Sequence, residues 1–380
     1  MNFSPIPAYW RRLFVTAVLG IAACSTPPRH RPAPVQVTAG IPPWHGRALH
    51  RRPLIAIVAN NQATELSDLL VPYGILSRDD AIELNALSMT GGAVATFTDM
   101  GAPGPLLRLP ATTAAFDASH PEGADFVVVP AQASSPALLT WLQQQAAKGA
   151  TLVSICNGGL IVAETGLFDG RAATAHWSTE EKRKARYPAI HWTRDRRYIA
   201  DGPWISTTGV SAAIPASLAL IEAMHGRAQA QRIADDLGVR DWSPRHDTHA
   251  YMPHLRGSAW PLAKVSYTNR WFHHPDTFAV RAESGVDEVS LALTLDAYAS
   301  TGRSRTFVAT GDAEPVTTRH GLVVLPDRPP LDPALAILTP APAQPAGALD
   351  TALRGIMKRY GRSTAKGVAL VFEYPQHEDP

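Results

Sequence analysis

One cysteine in the middle of the chain follows a predicted strand at a turn of small residues, where it could act as a nucleophile. The apolar run 151–155 leads into Cys156, and Asn157 and Gly158 follow before a helical stretch. Such a turn holds a side chain out at the carboxyl end of a sheet, as in a nucleophile elbow. We expect the helix dipole to lower the cysteine pKa and the Asn157 and Gly158 amides to donate to an oxyanion. A buried structural cysteine is the alternative.

The elements around this turn alternate between strands and helices. Apolar runs predict strands at 54–59, 93–98, 125–129 and 151–155, and helical spacing predicts helices at 65–77 and 136–148. Pro72, inside the first helix, indicates a kink or a late start. This alternation predicts an α/β fold with a doubly wound parallel sheet that has helices on both faces.

An internal similarity predicts a second, truncated α/β half-copy of this fold. Residues 64–77 resemble residues 287–300, and Lys148-Gly149 with its following strand resembles 366–372. At a constant offset of 210, six residues match six others: Thr96, Phe97, Gly101, Pro105, Asp117 and Pro130 match Thr306, Phe307, Gly311, Pro315, Asp327 and Pro340. In this register Tyr374 lies opposite Cys156 and Leu291 opposite Asp68, so we expect the copy to keep the scaffold and lack the chemistry.

The N-terminus resembles a bacterial export signal that ends in a lipobox. Two arginines precede the apolar run 13–23, and Cys24 follows. This pattern predicts an exported protein, lipid-anchored at Cys24 to the outer membrane and facing the periplasm. An ordinary signal peptide with an incidental cysteine is the alternative. The predicted boundaries are 1–24 for the signal peptide, 25–52 for a Pro-rich tether, 53–240 for the first domain, 241–275 for a linker and 276–380 for the half-copy.

The charge balance offers no broad basic field. Lys and Arg number 35 against 33 Asp and Glu, which gives a net charge of +2 over 380 residues. Together with predicted export, this balance led us to exclude a nucleic-acid partner and to expect a small-molecule substrate or ligand, with the membrane reached through the lipid anchor. Cys24 and Cys156 each have a separate predicted role, so no structural disulfide is expected.

Residues 151–177, with Tyr198 to Gly202 and 205–210, resemble the ThiJ/PfpI superfamily of class I glutamine amidotransferase-like domains. The similarity is strongest to the sensor domains of AraC-type regulators and to isonitrile hydratases. It implies a flavodoxin-like sheet and a homodimer, and the half-repeat is expected to cover the surface through which relatives dimerise.

The resemblance also implies roles for individual residues. Cys156 matches the elbow cysteine, and Asp68 matches the acid that hydrogen-bonds its sulfur and could shuttle a proton, with Glu65 as the rival acid. His176 resembles the family histidine near the cysteine, which could act as a base or orient the pocket.

Three departures from the family pattern narrow the expected activity. Asn157 replaces the histidine of the peptidase dyad, so proteolysis is disfavoured. The amidotransferase His-x-Glu pair is not visible downstream, so glutamine hydrolysis is disfavoured as well. Ala131 and Gln132 replace the two glycines that line the oxyanion pocket of relatives, although the Ala131 amide could still donate.

The leading hypothesis is therefore a cysteine-dependent hydrolase or hydratase acting on a small electrophile, similar to isonitrile hydratases or to glyoxalases and deglycases. The alternative is a non-catalytic ligand-sensing or structural module with the same fold. No metal or organic cofactor is expected. The histidines between residues 241 and 275 fit no standard zinc pattern and are interpreted as packing: His246, His249, His254, His273 and His274.

Overall fold

The structure is a computed structural model that describes residues 40–46, 52–255, 257–326, 336–340 and 343–375. The described residues form one compact unit. The predicted signal peptide, Cys24 and most of the predicted tether lie outside them. Within the described ranges, no helix combines the length and apolarity that crossing a bilayer requires.

The strands and helices have the following bounds. The strands are β1 Leu54–Ala59, β2 Thr64–Glu65, β3 Glu83–Ser88, β4 Ala93–Phe97, β5 Pro103–Arg108, β6 Ala111–Thr112, β7 Phe126–Val129, β8 Thr151–Ser154, β9 Ala172–Ala173, β10 His191–Trp192, β11 Tyr198–Asp201, β12 Trp204–Thr207, β13 Asp276–Arg281, β14 Ser304–Ala309, β15 Val316–Thr317, β16 Val323–Leu325 and β17 Ala336–Leu338. The helices are α1 Leu66–Leu76, α2 Thr113–Ser119, α3 Pro136–Ala147, α4 Gly158–Glu164, α5 Glu180–Arg186, α6 Ala213–His225, α7 Arg227–Leu237, α8 Thr248–Tyr251, α9 Ala259–Ala263, α10 Asn269–Phe272, α11 Glu288–Ala299, α12 Ala348–Tyr360 and α13 Arg362–Val371.

A seven-stranded sheet with the order β11-β12-β8-β7-β1-β3-β6 forms the centre of the fold. All of its neighbouring strands are parallel except β11 and β12. Every residue of β1 is buried, and successive side chains enter two separate apolar cores. Ile55 and Ile57 join the core that contains α1 and α6, whereas Ala56 and Val58 join the core that contains α3. The predicted doubly wound α/β class is confirmed.

The predicted strand at 93–98 exists as β4, but it lies in a different sheet. β4 and β5 form a hairpin in a five-stranded sheet with the order β15-β16-β5-β4-β2. The predicted match between residues 210 positions apart is therefore wrong. Thr96 lies in this hairpin, whereas its predicted counterpart Thr306 lies in β14, beside β13 of a third sheet.

Helices α1 and α11 pack closely against each other. A Cβ atom added to Gly74 would lie 3.0 Å from Cβ of Glu288, so only a glycine allows this approach without a shift. The Ser67 hydroxyl donates to Asp296 Oδ2 over 2.7 Å. The predicted similarity of 64–77 and 287–300 thus corresponds to two helices in contact.

The three-stranded parallel sheet β14-β13-β17 repeats the order of β3-β1-β7 in the central sheet. The predicted strand at 368–372 is wrong: all but the last residue of that run lie in helix α13. A short apolar run does not distinguish a strand from a buried helix by its pattern alone. The half-copy and the domain boundaries therefore stay predictions, and the predicted linker 241–275 contains helices α8 to α10.

We expect Leu291→Ala to destabilise the whole unit, because Leu291 is fully buried in the core that α1 and α11 share. The loss should be about 2–4 kcal/mol in the free energy of unfolding, in one cooperative transition measured by urea denaturation. Leu255→Ala, at a residue that is 99% exposed, is the control and should change it by less than about 0.5 kcal/mol. Two separate transitions in the wild type would contradict the single unit.

Candidate functional site

Cys156 lies at the turn between β8 and α4 in a left-handed backbone conformation, with φ of 52°. A residue other than glycine rarely adopts this conformation, which is typical of a nucleophile elbow. The Cys156 N–H donates to the Thr207 hydroxyl over 3.0 Å. A Cβ atom on Gly158 would lie 2.1 Å from the Val129 carbonyl oxygen, so the turn needs glycine at that position.

The two amides predicted to form an oxyanion site point in different directions. The Asn157 N–H donates to the Cys156 sulfur and favours its thiolate form. The Gly158 N–H is already used, because it donates to the Ile155 carbonyl over 2.7 Å. Only the first amide is therefore placed at the sulfur.

Asp68 and Glu65 lie at the start of α1 and are completely buried. Asp68 Oδ2 accepts the Ala131 N–H over 3.0 Å, and its Oδ1 has no hydrogen-bond partner among the described residues. Glu65 caps the helix by accepting the Asp68 N–H over 2.5 Å. The Ala131 amide, predicted as an oxyanion donor, is thus engaged by Asp68.

Two further acids join this cluster, and the sequence did not indicate either of them. Asp99 follows β4, and its N–H donates to Asp296 Oδ1 over 2.9 Å. Asp296 lies on α11 in the region predicted to lack the chemistry. No local signal in the sequence marks Asp296, because its neighbours in space, Glu65 and Ser67, are more than 200 positions away in the chain.

Burial dominates the ionisation of these groups. It raises the pKa of Glu65 and of Asp68 well above the ordinary values, and neighbouring carboxylates raise them further. Burial also raises the pKa of Asp296, against the opposing effect of its hydrogen bonds. The pKa of Asp99 rises to about 7, mainly through burial. One of its carboxyl oxygens is buried and has no hydrogen-bond partner among the described residues, although the residue as a whole is only partly buried.

The expected lowering of the cysteine pKa is wrong. Burial raises the pKa of the Cys156 thiol well above its ordinary value, and the charges of Asp68, Asp99 and Glu65 raise it further. The Asn157 N–H opposes this shift but does not outweigh it. At neutral pH the site therefore holds a neutral thiol, and burial makes the neighbouring carboxyl groups bind their protons more tightly than exposed ones do.

A cavity of about 300 Å³ opens onto the sulfur. Cys156, Glu65 and Asp99 line it, and so do Lys182 and Arg186 of α5. These two cations are exposed. Arg183, on the same helix, is 1% exposed and donates to the His176 carbonyl over 2.6 Å.

His176 is buried beside the C-terminal segment. Its Nε2 donates to the Val371 carbonyl over 2.7 Å and lies 3.9 Å from Glu373 Oε1. His246 Nε2 lies 2.7 Å from the other oxygen of Glu373. Burial alone would raise the pKa of Glu373, but the two histidines outweigh it and hold the pKa below its ordinary value. The structure therefore places His176 in a buried cluster of polar contacts with the C-terminal segment.

The described residues contain no group of three or more His, Cys, Asp and Glu side chains arranged to hold a metal ion. The carboxyl cluster at Cys156 is held by backbone amides and hydroxyls instead.

The part of the chain that holds this site matches a known family. Residues 54–223 match the model of the DJ-1/PfpI family, as the ThiJ/PfpI resemblance predicted. The fold is similar to that of DJ-1beta from Drosophila melanogaster, with a TM-score of 0.43 and 20% identity over 50% of this chain and 100% of that one.

Curated relatives include two regulators from Pseudomonas aeruginosa. The chain is 36% identical to the HTH-type transcriptional regulator CdhR over 118 residues, which are 31% of this chain and 35% of CdhR. It is 31% identical to the HTH-type transcriptional regulator ArgR over 114 residues, which are 28% of this chain and 32% of ArgR. The chain thus spans about a third of the length of these relatives.

These relatives contradict the prediction that nucleic acid is excluded as a partner. Proteins named as helix-turn-helix transcriptional regulators share up to 36% of residues with this chain in the matched stretch. The exclusion rests on predicted export and on net charge, and net charge describes the whole chain and not the local field of one surface. The exclusion was therefore wrong.

We expect iodoacetamide to label Cys156 slowly at pH 7, with an apparent pKa above the free-thiol value of about 8.5. Asp99→Asn removes a neighbouring negative charge, so the apparent pKa should fall and labelling at pH 8 should become roughly threefold to tenfold faster. Mass spectrometry of the Cys156 peptide measures both rates.

Glu164→Gln is the matched control, because Glu164 lines the cavity but is not among the charges that raise the thiol pKa. An apparent pKa below about 8.5 in the wild type, unchanged by Asp99→Asn, would show that the elbow dipole dominates after all.

Stability should also depend on the ionisation of Asp99. Because its pKa is raised to about 7, folding favours the protonated form. The stabilising contribution is complete below the unfolded value of about 4 and is lost as the pH rises through about 7. We therefore expect Asp99→Asn to unfold with a free energy about 1–3 kcal/mol higher than the wild type at pH 8, and with no such gain at pH 4.

Urea denaturation at both pH values measures this difference. The control is Asp169→Asn at an exposed position, which should leave the pH dependence as it is. A gain at pH 4 as large as that at pH 8 would attribute the effect to packing and not to ionisation.

Proposed function

We propose that the cavity binds a small neutral electrophile and that the Cys156 sulfur adds to it, as in a hydratase. The observation that carries this proposal is the neutral thiol beside Asp99, whose carboxyl has a pKa of about 7 and lines the same cavity. A group with a pKa near the working pH is a good general acid and, once ionised, a good base.

The ionisation state of the site favours a reaction in which the net charge stays constant. A free thiolate is costly here because three carboxyl groups surround the sulfur in a buried region. When the sulfur and the hydrogen of a thiol both add to the terminal carbon of an isonitrile, no net charge is created. Asp99 donates its proton to the terminal carbon, the sulfur bonds to that carbon, and the thiol proton passes to the resulting carboxylate.

This step leaves a thioimidate intermediate on Cys156, which water then hydrolyses. Water adds to the thioimidate carbon, and one of its protons passes to the nitrogen. The carbon–sulfur bond then breaks, and the other proton of the water returns to the sulfur as the N-substituted formamide leaves. The balance is one isonitrile and one water to one formamide. Asp99 is the donor that lines the cavity, and Asp68, the acid predicted from the sequence, is the alternative donor.

A second candidate is a ligand-sensing module that binds a small molecule in this cavity without turnover. Two observations favour it: the curated relatives are named as transcriptional regulators, and the thiol pKa is raised. A high thiol pKa lowers the thiolate fraction and therefore the intrinsic reactivity of the cysteine.

To test the proposal, the full chain is incubated with short alkyl isonitriles at pH 7, and the formamide is quantified by mass spectrometry. We expect catalytic turnover that Cys156→Ala abolishes and that Asp99→Asn lowers by about 10²-fold or more, since general acid catalysis contributes on that scale. Asp68→Asn separates the two acids: the larger loss identifies the donor. Asp169→Asn, remote from the site, is the control.

Parallel incubation with 2-oxoaldehydes tests glyoxalase-like chemistry. Turnover of 2-oxoaldehydes without turnover of isonitriles would identify 2-oxoaldehydes as the substrate class. Two results together would refute catalysis and favour the sensing module. Neither class of compound is turned over, and a ligand raises the melting temperature of the wild type and of Cys156→Ala by the same amount.

A further inference from the structure

An exposed set of aromatic side chains lies on the surface helix formed by residues 259–272. This helix comprises α9, one π-helical stretch over Lys264–Thr268, and α10. Four of its aromatic residues are largely exposed and are here named the aromatic face: Trp260 at 63%, Tyr267 at 67%, Trp271 at 81% and Phe272 at 78%. Exposed aromatic groups of this size are uncommon on a surface without a partner.

The opposite side of this helix is fixed to the protein. A Cβ atom on Gly367 would lie 2.4 Å from the Pro261 carbonyl and 2.7 Å from Val265, so α13 packs directly against the helix. The Asn269 amide donates to the Thr301 carbonyl over 2.7 Å. The helix therefore presents the aromatic face on a rigid support, with its own apolar residues already buried inward.

The charged residues of this helix are all cations. Residues 248–275 contain no Asp and no Glu, and the first acid after them is the exposed Asp276. Lys264 and the exposed Arg270 lie on the helix, and Lys366 Nζ lies beside Gly257 at its start. An aromatic surface on a helix that carries only cations complements a surface whose apolar interior lies beneath a layer of anionic groups.

We propose that the aromatic face docks on an anionic lipid surface. Trp and Tyr combine an apolar ring with a polar edge and are enriched where hydrocarbon meets water. Lys and Arg beside such rings add attraction to anionic headgroups.

A nucleic acid fits this surface less well. A backbone of phosphates requires a track of several cations, whereas the helix itself supplies Lys264 and Arg270 only. Arg270 also donates to the Met100 carbonyl over 2.9 Å, which ties one of the two to the protein.

The test measures partitioning of the full chain onto vesicles of phosphatidylcholine with about one quarter phosphatidylglycerol, a proportion that gives a negative surface potential. Every protein carries Cys24→Ser, so that lipidation does not contribute. The variant replaces the four residues of the aromatic face by serine, and we expect its partition coefficient to be at least tenfold lower. Leu106→Ser with Ile337→Ser, at half-exposed apolar positions elsewhere, is the matched control and should bind as the parent does.

A second variant and a second readout address the remaining explanations. Lys264→Glu with Arg270→Glu keeps every ring and should also weaken binding to anionic vesicles, with no effect on neutral ones. Brominated lipids should quench the parent's fluorescence, and Trp260→Phe with Trp271→Phe should remove most of that quenching while binding persists.

Equal partitioning of the parent and the serine variant, with quenching unchanged by the phenylalanine variant, would overturn the proposal. Loss of a dimer or of DNA retention in the serine variant, with vesicle binding intact, would also overturn it and would assign the face to a second copy or to nucleic acid.

Discussion

Helices α1 and α11 approach each other closely because Gly74 has no side chain where the two cross. This contact brings together residues more than 200 positions apart and buries the acids at the start of α1. The core of the central sheet and the core of the C-terminal region become one apolar cluster through it. The Cys156 cavity depends on the same contact, since Asp296 on α11 accepts the N–H of Asp99, a residue that lines the cavity.

The electrostatics of the site follow from that burial. A helix N-terminus favours an anion by roughly 0.3–1 kcal/mol at an exposed position. Removing a carboxyl group or a thiol from water can shift its pKa by several units, and each unit is worth about 1.4 kcal/mol. At Cys156 burial outweighs the helix dipole, and the charges of the neighbouring acids raise the thiol pKa further. The elbow therefore positions the sulfur without ionising it, and its protons stay within the site.

The sequence predicted the parts of the fold that depend on local pattern. The apolar runs at β1, β7 and β8 and the spacing of α1 and α3 were sufficient, and the small-residue turn located Cys156. Contacts between residues that are far apart in the sequence left no such pattern. Every residue of the helix that contains Asp296 is buried, so the helix has no polar face that would indicate a role for Asp296. The run 368–372 was misassigned for the same reason, because α13 packs on other helices and its apolar stretch resembles a strand.

The C-terminal region contributes to the site although it has no cysteine. Asp296 supplies an acceptor to the cavity side, and Glu373 supplies the carboxylate that holds His176 and His246. Both groups are buried, but they differ in ionisation because only Glu373 has two histidines beside it. The two clusters also influence each other, because His176 lowers the pKa of Asp99 and Glu373 raises it. Ionisation at the cavity therefore depends on both parts of the C-terminal region, on Asp296 in α11 and on Glu373 after α13.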